Sequence, residues 1–243
     1  MENNFSQRYS FLIVAVALIV GLAVHGLFMA SRSGTKGLTV VGSSKQRVTA
    51  DLGKWNGSFS RQAGLDNLKT TMDQIGADSS QIKAFVTKLG IDASRITFLP
   101  VQVSPIYEQL TYGKAQTIGG YNVTQAVRVE NEDIAKIDNL STAIKQLIDR
   151  GIIFDYQNTE YYYTKIADLR PKLFADATQD AKQKADAVVK GTGASLGKLL
   201  TARTGVIQIM APNSTDISDY GTYDLSTKDK DITATVTVTF DLN

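Results

Sequence analysis

The chain has 243 residues, with 26 lysines and arginines against 24 acids, a formal net charge of +2, no cysteine and one histidine. So even a balance, with no basic block, speaks against nucleic acid as a partner. The missing cysteine removes any disulfide, thiolate nucleophile or zinc–thiolate site.

Residues 1–10 form a short N-terminal flank. Phe11 to Ala30 (FLIVAVALIVGLAVHGLFMA) then holds no acid and no strong base. Its twenty residues would cover about 30 Å as a helix, the thickness of a bilayer's hydrocarbon core, so residues 11–30 are expected to be a transmembrane anchor in contact with lipid. The run exceeds the apolar core of about 7–15 residues typical of a secretory signal. Cleavage after Ala30 would leave the bulky Phe28 at minus three; cleavage after Gly26, with Val24 there, is the alternative to retention. Arg8 precedes the run, whereas Arg32, Lys36, Lys45 and Arg47 follow it. That asymmetry favours a cytoplasmic domain, but long following domains translocate largely regardless of charge. His25 lies inside the run and reads as a residue near the interface, so the remainder has no imidazole. Ser-His-Asp catalysis, Cys-His catalysis and histidine-based metal sites are thereby excluded from it. Carboxylate pairs or a Ser–Lys arrangement stay open, although no spacing points to one.

Residues 31–37 read as a polar tether, and roughly 210 residues follow the span, enough for a substantial core. Leu38 to Val41 starts an apolar strand. Val48 to Ser60 is a second extended run, in which Val48, Ala50 and Leu52 share one parity and Trp55, Gly57 and Phe59 the other. That phase change suggests a bulge at Gly53. Leu65, Leu68, Met72, Ile75, Ile82, Val86 and Leu89 recur at steps of three and four, with Ser79 in the skipped position. The phase holds across Gly76, which predicts one continuous helix stopped by Gly90.

Ile96 to Val103 and Tyr121 to Val129 are expected strands of a hairpin joined by the long arm Glu108 to Gly120. Asn131 is a candidate cap for a second helix with Ile134, Ile137, Ile144, Leu147 and Ile148 on its apolar face, ended by Gly151. Ile152 to Tyr163 reads as a strand. Pro171 suits the first turn of a third helix capped by Asp168, burying Leu173, Ala177, Ala181, Ala185 and Val188. An alanine-rich face of this kind implies close approach to whatever covers it. Lys198 to Met210 is strand-like, and Ala211 to Asp231 reads as a mobile loop. Ile232, Ala234, Val236, Val238, Phe240 and Leu242 then alternate with threonines in the clearest strand of all.

From Val48 to Tyr163 the order is strand, helix, strand, strand, helix, strand, which is the split βαβ (ferredoxin-like) order. The expected fold is therefore α+β: an antiparallel sheet with helices on one side, extended by a further helix and two strands, and preceded by one N-terminal transmembrane helix.

Four local patterns carry little chemistry. Gly191 to Lys198 lacks the glycine and hydroxyl positions of a phosphate loop and follows a helix, so it reads as a helix end and turn. Tyr161, Tyr162 and Tyr163, with Tyr156 nearby, alternate across a strand and make no single platform. Asp229 and Asp231 lack the glycine and distal glutamate of a calcium loop and read as solvated charge. Asn56, Asn122, Asn139 and Asn213 each begin an N-x-S/T triplet, three of them in predicted strands or a helix.

Six segments in order are similar to the SIMPL-domain family of bacterial envelope proteins, which includes periplasmic immunogenic antigens. They are Val40–Gly53, Leu89–Ile96, Val101–Glu108, Gly119–Glu130 leading to Asp138–Ile152, Asp176–Leu200, and the closing strand. The likeness covers nearly everything from Leu38 to Leu242, so residues 38–243 are taken as one SIMPL-like domain. Two departures stand out: Ala50-Asp51 replaces the family's usual Pro-Asp pair, and Ala211–Asp231 has no matching pattern. The resemblance implies export, ring- or cage-like homo-oligomers and a loose link to oxidative-stress defence, and it supplies no catalytic residue.

The resulting expectation is a non-enzymatic, membrane-anchored envelope protein whose main domain lies in the periplasm and which assembles with itself. Val48–Ser60, Tyr121–Val129 and the closing strand are its candidate pairing surfaces. No catalytic, cofactor-binding or metal-ligating residue is assigned. The rivals are a small-molecule or peptide-binding module using Tyr156–Tyr163 and, less favoured, a carboxylate- or Ser/Lys-based enzyme.

Overall fold

The computed structural model describes residues 37–108, 116–215, 218 and 220–243. The expected membrane span at 11–30, its flank, and residues 31–36 of the tether lie outside them. No helix among the described residues is long and apolar enough to cross a membrane.

The strands are β1 (Gly37–Thr49), β2 (Leu52–Ala63), β3 (Ile96–Phe98), β4 (Gln102–Tyr107), β5 (Ile118–Asn131), β6 (Phe154–Tyr162), β7 (Leu196–Thr204), β8 (Gln208–Met210) and β9 (Asp229–Leu242). The helices are α1 (Leu68–Lys88), α2 (Ile134–Ala143), α3 (Lys145–Ile148) and α4 (Ile166–Lys190), with a 3₁₀ turn at Ala93–Arg95. The fold is α+β with antiparallel sheets. The chain divides into two compact units. The larger holds Ser44–Ala175 and Val206–Ala234; the smaller takes the described residues up to Ser43, with Asp176–Gly205 and Thr235–Asn243.

In the larger unit one sheet has the order β3-β5-β2-β6, with β4 also paired to β5. Every pairing in it is antiparallel. Gly53, Trp55, Gly57 and Phe59 of β2 are buried on one face, as are Val123, Val127 and Val129 of β5. Against that face pack Ile75, Ile82, Phe85 and Val86 from α1, and Ile137, Leu140, Ile144 and Leu147 from α2–α3. The Phe154 ring meets Trp55 and Phe59 edge-on, at centroid distances of 5.6 and 6.0 Å. Gly57 makes room for the indole, because a Cβ there would lie 2.3 Å from Trp55. The helices thus cover one side of the sheet, and the other side is left polar.

α1 is continuous across Gly76, and Gly90 just beyond it takes φ +81°. Lys136 Nζ donates to the Gly90 carbonyl at 2.8 Å, satisfying one group at that helix end. The predicted stripe is displaced at its start, since Leu65 and Met72 are exposed. Asp78 takes a buried place instead, gripped through both oxygens by Arg61 of β2 at 2.5 and 2.8 Å.

Several expectations shift for local reasons. The phase change near Gly53 is a strand boundary rather than a bulge: Val48 belongs to β1, and the chain turns at Ala50–Asp51 before β2. The irregularity lies instead between Ser58 and Phe59, opposite an extra residue, Asp155, in β6. The expected strand Ile96–Val103 is divided around Pro100 into β3 and β4. Asp133, not Asn131, caps α2, accepting from Ala135 N, while Asn131 accepts from Asp133 N. α4 begins before Pro171, at Ile166, because the distant Asp51 carboxylate accepts from Thr164 N at 2.8 Å and from its hydroxyl at 3.1 Å. Val189, not Val188, completes its buried face.

The second sheet has the order β1-β9-β7, with β8 also paired to β9. β7 and β8 are separate strands where one run was expected. In the smaller unit, Ala177, Ala181 and Ala185 of α4 are fully buried. Gly42 of β1 faces them so closely that a Cβ would lie 2.0 Å from the Ala177 carbonyl oxygen and 2.5 Å from Ala181 N. Ser43 N donates to Asp180 at 2.7 Å beside this contact. Because the obstruction is backbone, Gly42→Ala is expected to cost about 1–3 kcal/mol, read as a lower denaturant midpoint at unchanged slope. Gly76→Ala, on an open helix face, should be neutral or stabilising in the same assay.

Candidate functional site

The polar face of the larger unit's sheet carries an ordered constellation. Three rungs cross β5, β2 and β6 in register: Glu130–Lys54–Glu160, Arg128–Asn56–Asn158 and Ala126–Ser58–Tyr156. Strand alternation directs these residues away from the core and towards one another. A directed hydrogen-bond chain runs through them. Arg128 Nε donates to Asn56 Oδ1 (3.1 Å), Asn56 Nδ2 to Asn158 Oδ1 (3.1 Å), and Asn158 Nδ2 to Glu160 Oε1 (3.4 Å). Tyr162 closes it by donating to Glu160 Oε2 at 2.8 Å.

Lys54 pairs with Glu130 at 3.1 Å and lies 5.0 Å from the Tyr162 ring centroid. Burial, followed by the hydrogen bond to the Glu160 carboxylate, pushes the Tyr162 hydroxyl up to about 12. A groove of about 450 Å³ opens on this face, and its lining includes Lys54, Ser58, Leu99, Arg128, Tyr156 and Tyr162.

The four tyrosines separate as their alternation requires. Tyr156 and Tyr162 line the groove. Tyr161 turns to the opposite side and donates to Asp138 of α2 at 2.7 Å, and Lys228 reaches the same carboxylate at 2.5 Å. Burial and that carboxylate push Tyr161 up to about 12 as well. Tyr163 exchanges backbone hydrogen bonds with the Tyr223 hydroxyl.

Asp231 overturns the expectation of solvated charge. It is 1% exposed and accepts from Arg47 at 2.8 and 3.1 Å and from Asn213 N at 3.0 Å, with Lys45 Nζ at 2.7 Å. Asn213 reaches that position with φ +62°. The Arg47 hydrogen bond first, then Lys45 and the Asn213 amide, hold Asp231 far below the usual carboxylate range. Lys230, fully buried, donates to the Asp224 and Thr227 carbonyls. Burial works against the charge on Asp224, but hydrogen bonds from Ser226 and Thr227 and the Lys230 charge hold its carboxyl well below normal. Asn213 and Asp224 are thus held by partners on β1 and β9.

The other singled-out residues have structural places. Gly191–Lys198 is the turn from α4 to β7, with Gly193 at φ +74°. Asn56 lies in β2, Asn122 in β5 and Asn139 in α2, whereas Asn213 is engaged by Arg47. His25 lies outside the described residues. Among those described, no group of three or more histidines, cysteines or acids could hold a metal ion.

The candidate pairing strands are also placed differently from expectation. β2 lies between β5 and β6, β5 between β2 and the pair β3/β4, and β9 between β1 and β7. All three are interior, so their backbone edges are used within the chain. Among the described residues the strands with an edge not paired to another strand are β1, β7 and β8 of one sheet and β3, β4 and β6 of the other. Beside β4 the side chains of Val101, Val103, Tyr107 and Ile118 are exposed.

Antiparallel sheets, one of them with helices over one face and an open polar groove on the other, define an α+β domain. The family model of SIMPL, described as a protein of unknown function (DUF541), matches residues 38–240, and the chain belongs to that family. No curated protein matches the chain.

The Asp231 cluster gives an acid-limb prediction. Its folded carboxyl lies below the unfolded value of about 3.9, so its contribution is fully present above that value and is lost progressively as pH falls from there through the lower folded value. Asp231→Asn should lower stability near neutrality by about 1–3 kcal/mol. It should also flatten the fall in melting temperature below about pH 4, measured by circular dichroism melts across pH.

Proposed function

We propose that this is a non-enzymatic, membrane-anchored envelope protein whose main domain lies in the periplasm and self-assembles into a ring- or cage-like homo-oligomer. A link to oxidative-stress defence belongs to the same proposal. The observation that carries it is the edge of β4, which has no partner strand among the described residues and is flanked by exposed Val101, Val103, Tyr107 and Ile118. Such edges are liabilities in a monomer and are normally blunted or covered. Pro105 withholds one donor from it, while apolar side chains offer area to a second copy. The apolar run at 11–30 supports the anchor, and the strand order β6-β2-β5-β3, with helices after β2 and β5, supports the split βαβ reading of the core.

A second reading, a small-molecule or peptide-binding envelope module, draws on the groove beside Tyr156 and Tyr162. Assembly is tested by light scattering on the full chain extracted in detergent, with detergent mass subtracted. A defined multiple of the monomer is expected, and Val103→Glu should shift the population towards monomer with an unchanged circular dichroism melt. A monomeric wild-type protein sinks the assembly reading.

A further inference from the structure

We propose that the groove on the polar face of β5, β2 and β6 binds a small monocarboxylate carrying a flat apolar body, with its acid group on Arg128 and its body against Tyr156. The proposal deepens the ligand-binding reading and rests on it.

The acid end follows from which donors are already committed. Arg128 uses Nε on Asn56, and its two Nη groups have no partner among the described residues. They form a planar fork on an exposed side chain, matched to the two oxygens of a carboxylate. Lys54 is held by Glu130, and both Glu160 oxygens accept hydrogen bonds, from Asn158 and Tyr162. Arg128 is therefore the open cationic position in the groove.

Charge selects the valence. Arg128 and Lys54 face Glu130 and Glu160 on adjoining rungs, so the four side chains sum to zero. A single negative charge can use the fork, whereas a dianion would meet two carboxylates with no second free cation among the described groove residues to offset them.

The body follows from the wall. Tyr156 is 55% exposed, and Leu99 and Ala126 line the same groove. Tyr156 lies two strands and one side-chain repeat from Arg128, about 12 Å between Cα atoms by sheet spacing. An aryl-alkyl acid suits that span once both long side chains lean inward. The groove's 450 Å³ lies within the range of about 300–1,000 Å³ usual for small-ligand sites.

The test is isothermal titration of the full chain in detergent, with empty micelles as blank, using 3-phenylpropanoate, its amide and the corresponding amine. Saturable binding of the acid is expected, with the amide and amine at least tenfold weaker. Arg128→Gln should weaken the acid at least tenfold, Arg128→Lys by less, and Tyr156→Ala should weaken acid and amide by similar factors. Melting curves of each variant show that the fold persists. Equal binding of acid, amide and amine, or an Arg128→Gln protein that binds the acid as wild type does, overturns the carboxylate assignment while leaving a ligand site. No binding of any of the three overturns the ligand reading with it. If Arg128→Gln instead changes the mass of the assembly and wild type binds none of the probes, the face is covered by a second copy and the proposal fails.

Discussion

Strand β2 is paired along both edges, and its alternation decides at once what lies in the core and what lies on the polar face. Gly53, Trp55, Gly57 and Phe59 go inward; Lys54, Asn56 and Ser58 go outward. Because side chains alternate with a period of two, a slip of one residue against β5 or β6 would exchange the two sets. It would put a lysine and an asparagine beneath α1 and an indole into water. The apolar face thus fixes the register, and the register in turn aligns Arg128, Asn56 and Asn158 on one rung. The polar constellation is a by-product of the core's demand for one alignment. Its precision comes from hydrophobic burial on the other side of the same strands.

Charge does a different job around the segment 211–228. Lys230 continues the inward parity of Ile232 and Ala234, a place that would ordinarily cost a lysine heavily. It is tolerated because the chain curls back to present carbonyls and the Asp224 carboxylate. Asp231 has the opposite parity and reaches Lys45 and Arg47 on the neighbouring strand. Two adjacent charges on β9 therefore bind two different stretches, one of them the same segment that reads as a loose loop in sequence. Composition rich in Ser, Thr, Asp and Gly supplied short side chains able to bond nearby backbone, and here they do so within Asp224–Thr227.

Much of this was legible beforehand where the signal is local. The threonine alternation of β9, the unbroken phase of α1 across Gly76 and the small-residue face of α4 each follow from periodicity in one stretch, and each corresponds to the observed element. What escaped depends on residues far apart. The start of α4 is set by Asp51, more than a hundred positions earlier. The burial of Asp231 is set by Arg47, 184 positions away. The groove was half visible, since Tyr156, Asn158, Glu160 and Tyr162 share a parity, as do Lys54, Asn56 and Ser58. Which strand lies beside which, and in what register, was not, and so Arg128 attracted no notice. The pairing strands were chosen by length and regularity, and those same qualities suit a strand to the middle of a sheet.

The second sheet brings together stretches from opposite ends of the described chain. The hydroxyls of Thr39 on β1 and Thr239 on β9 are 2.9 Å apart across 200 positions of sequence, and Thr49 reaches Asp229 near the other end of the same two strands. During synthesis at 5–20 residues per second, β1 would therefore wait about 10–40 s for β9 to be made. Through that interval β1 can already meet α4, where Ser43 N finds Asp180, but the strand edge that β9 covers has no partner. β9 is the central strand of this sheet, so until it joins them β1 and β7 have no common partner, and the sheet exists only once all three are present.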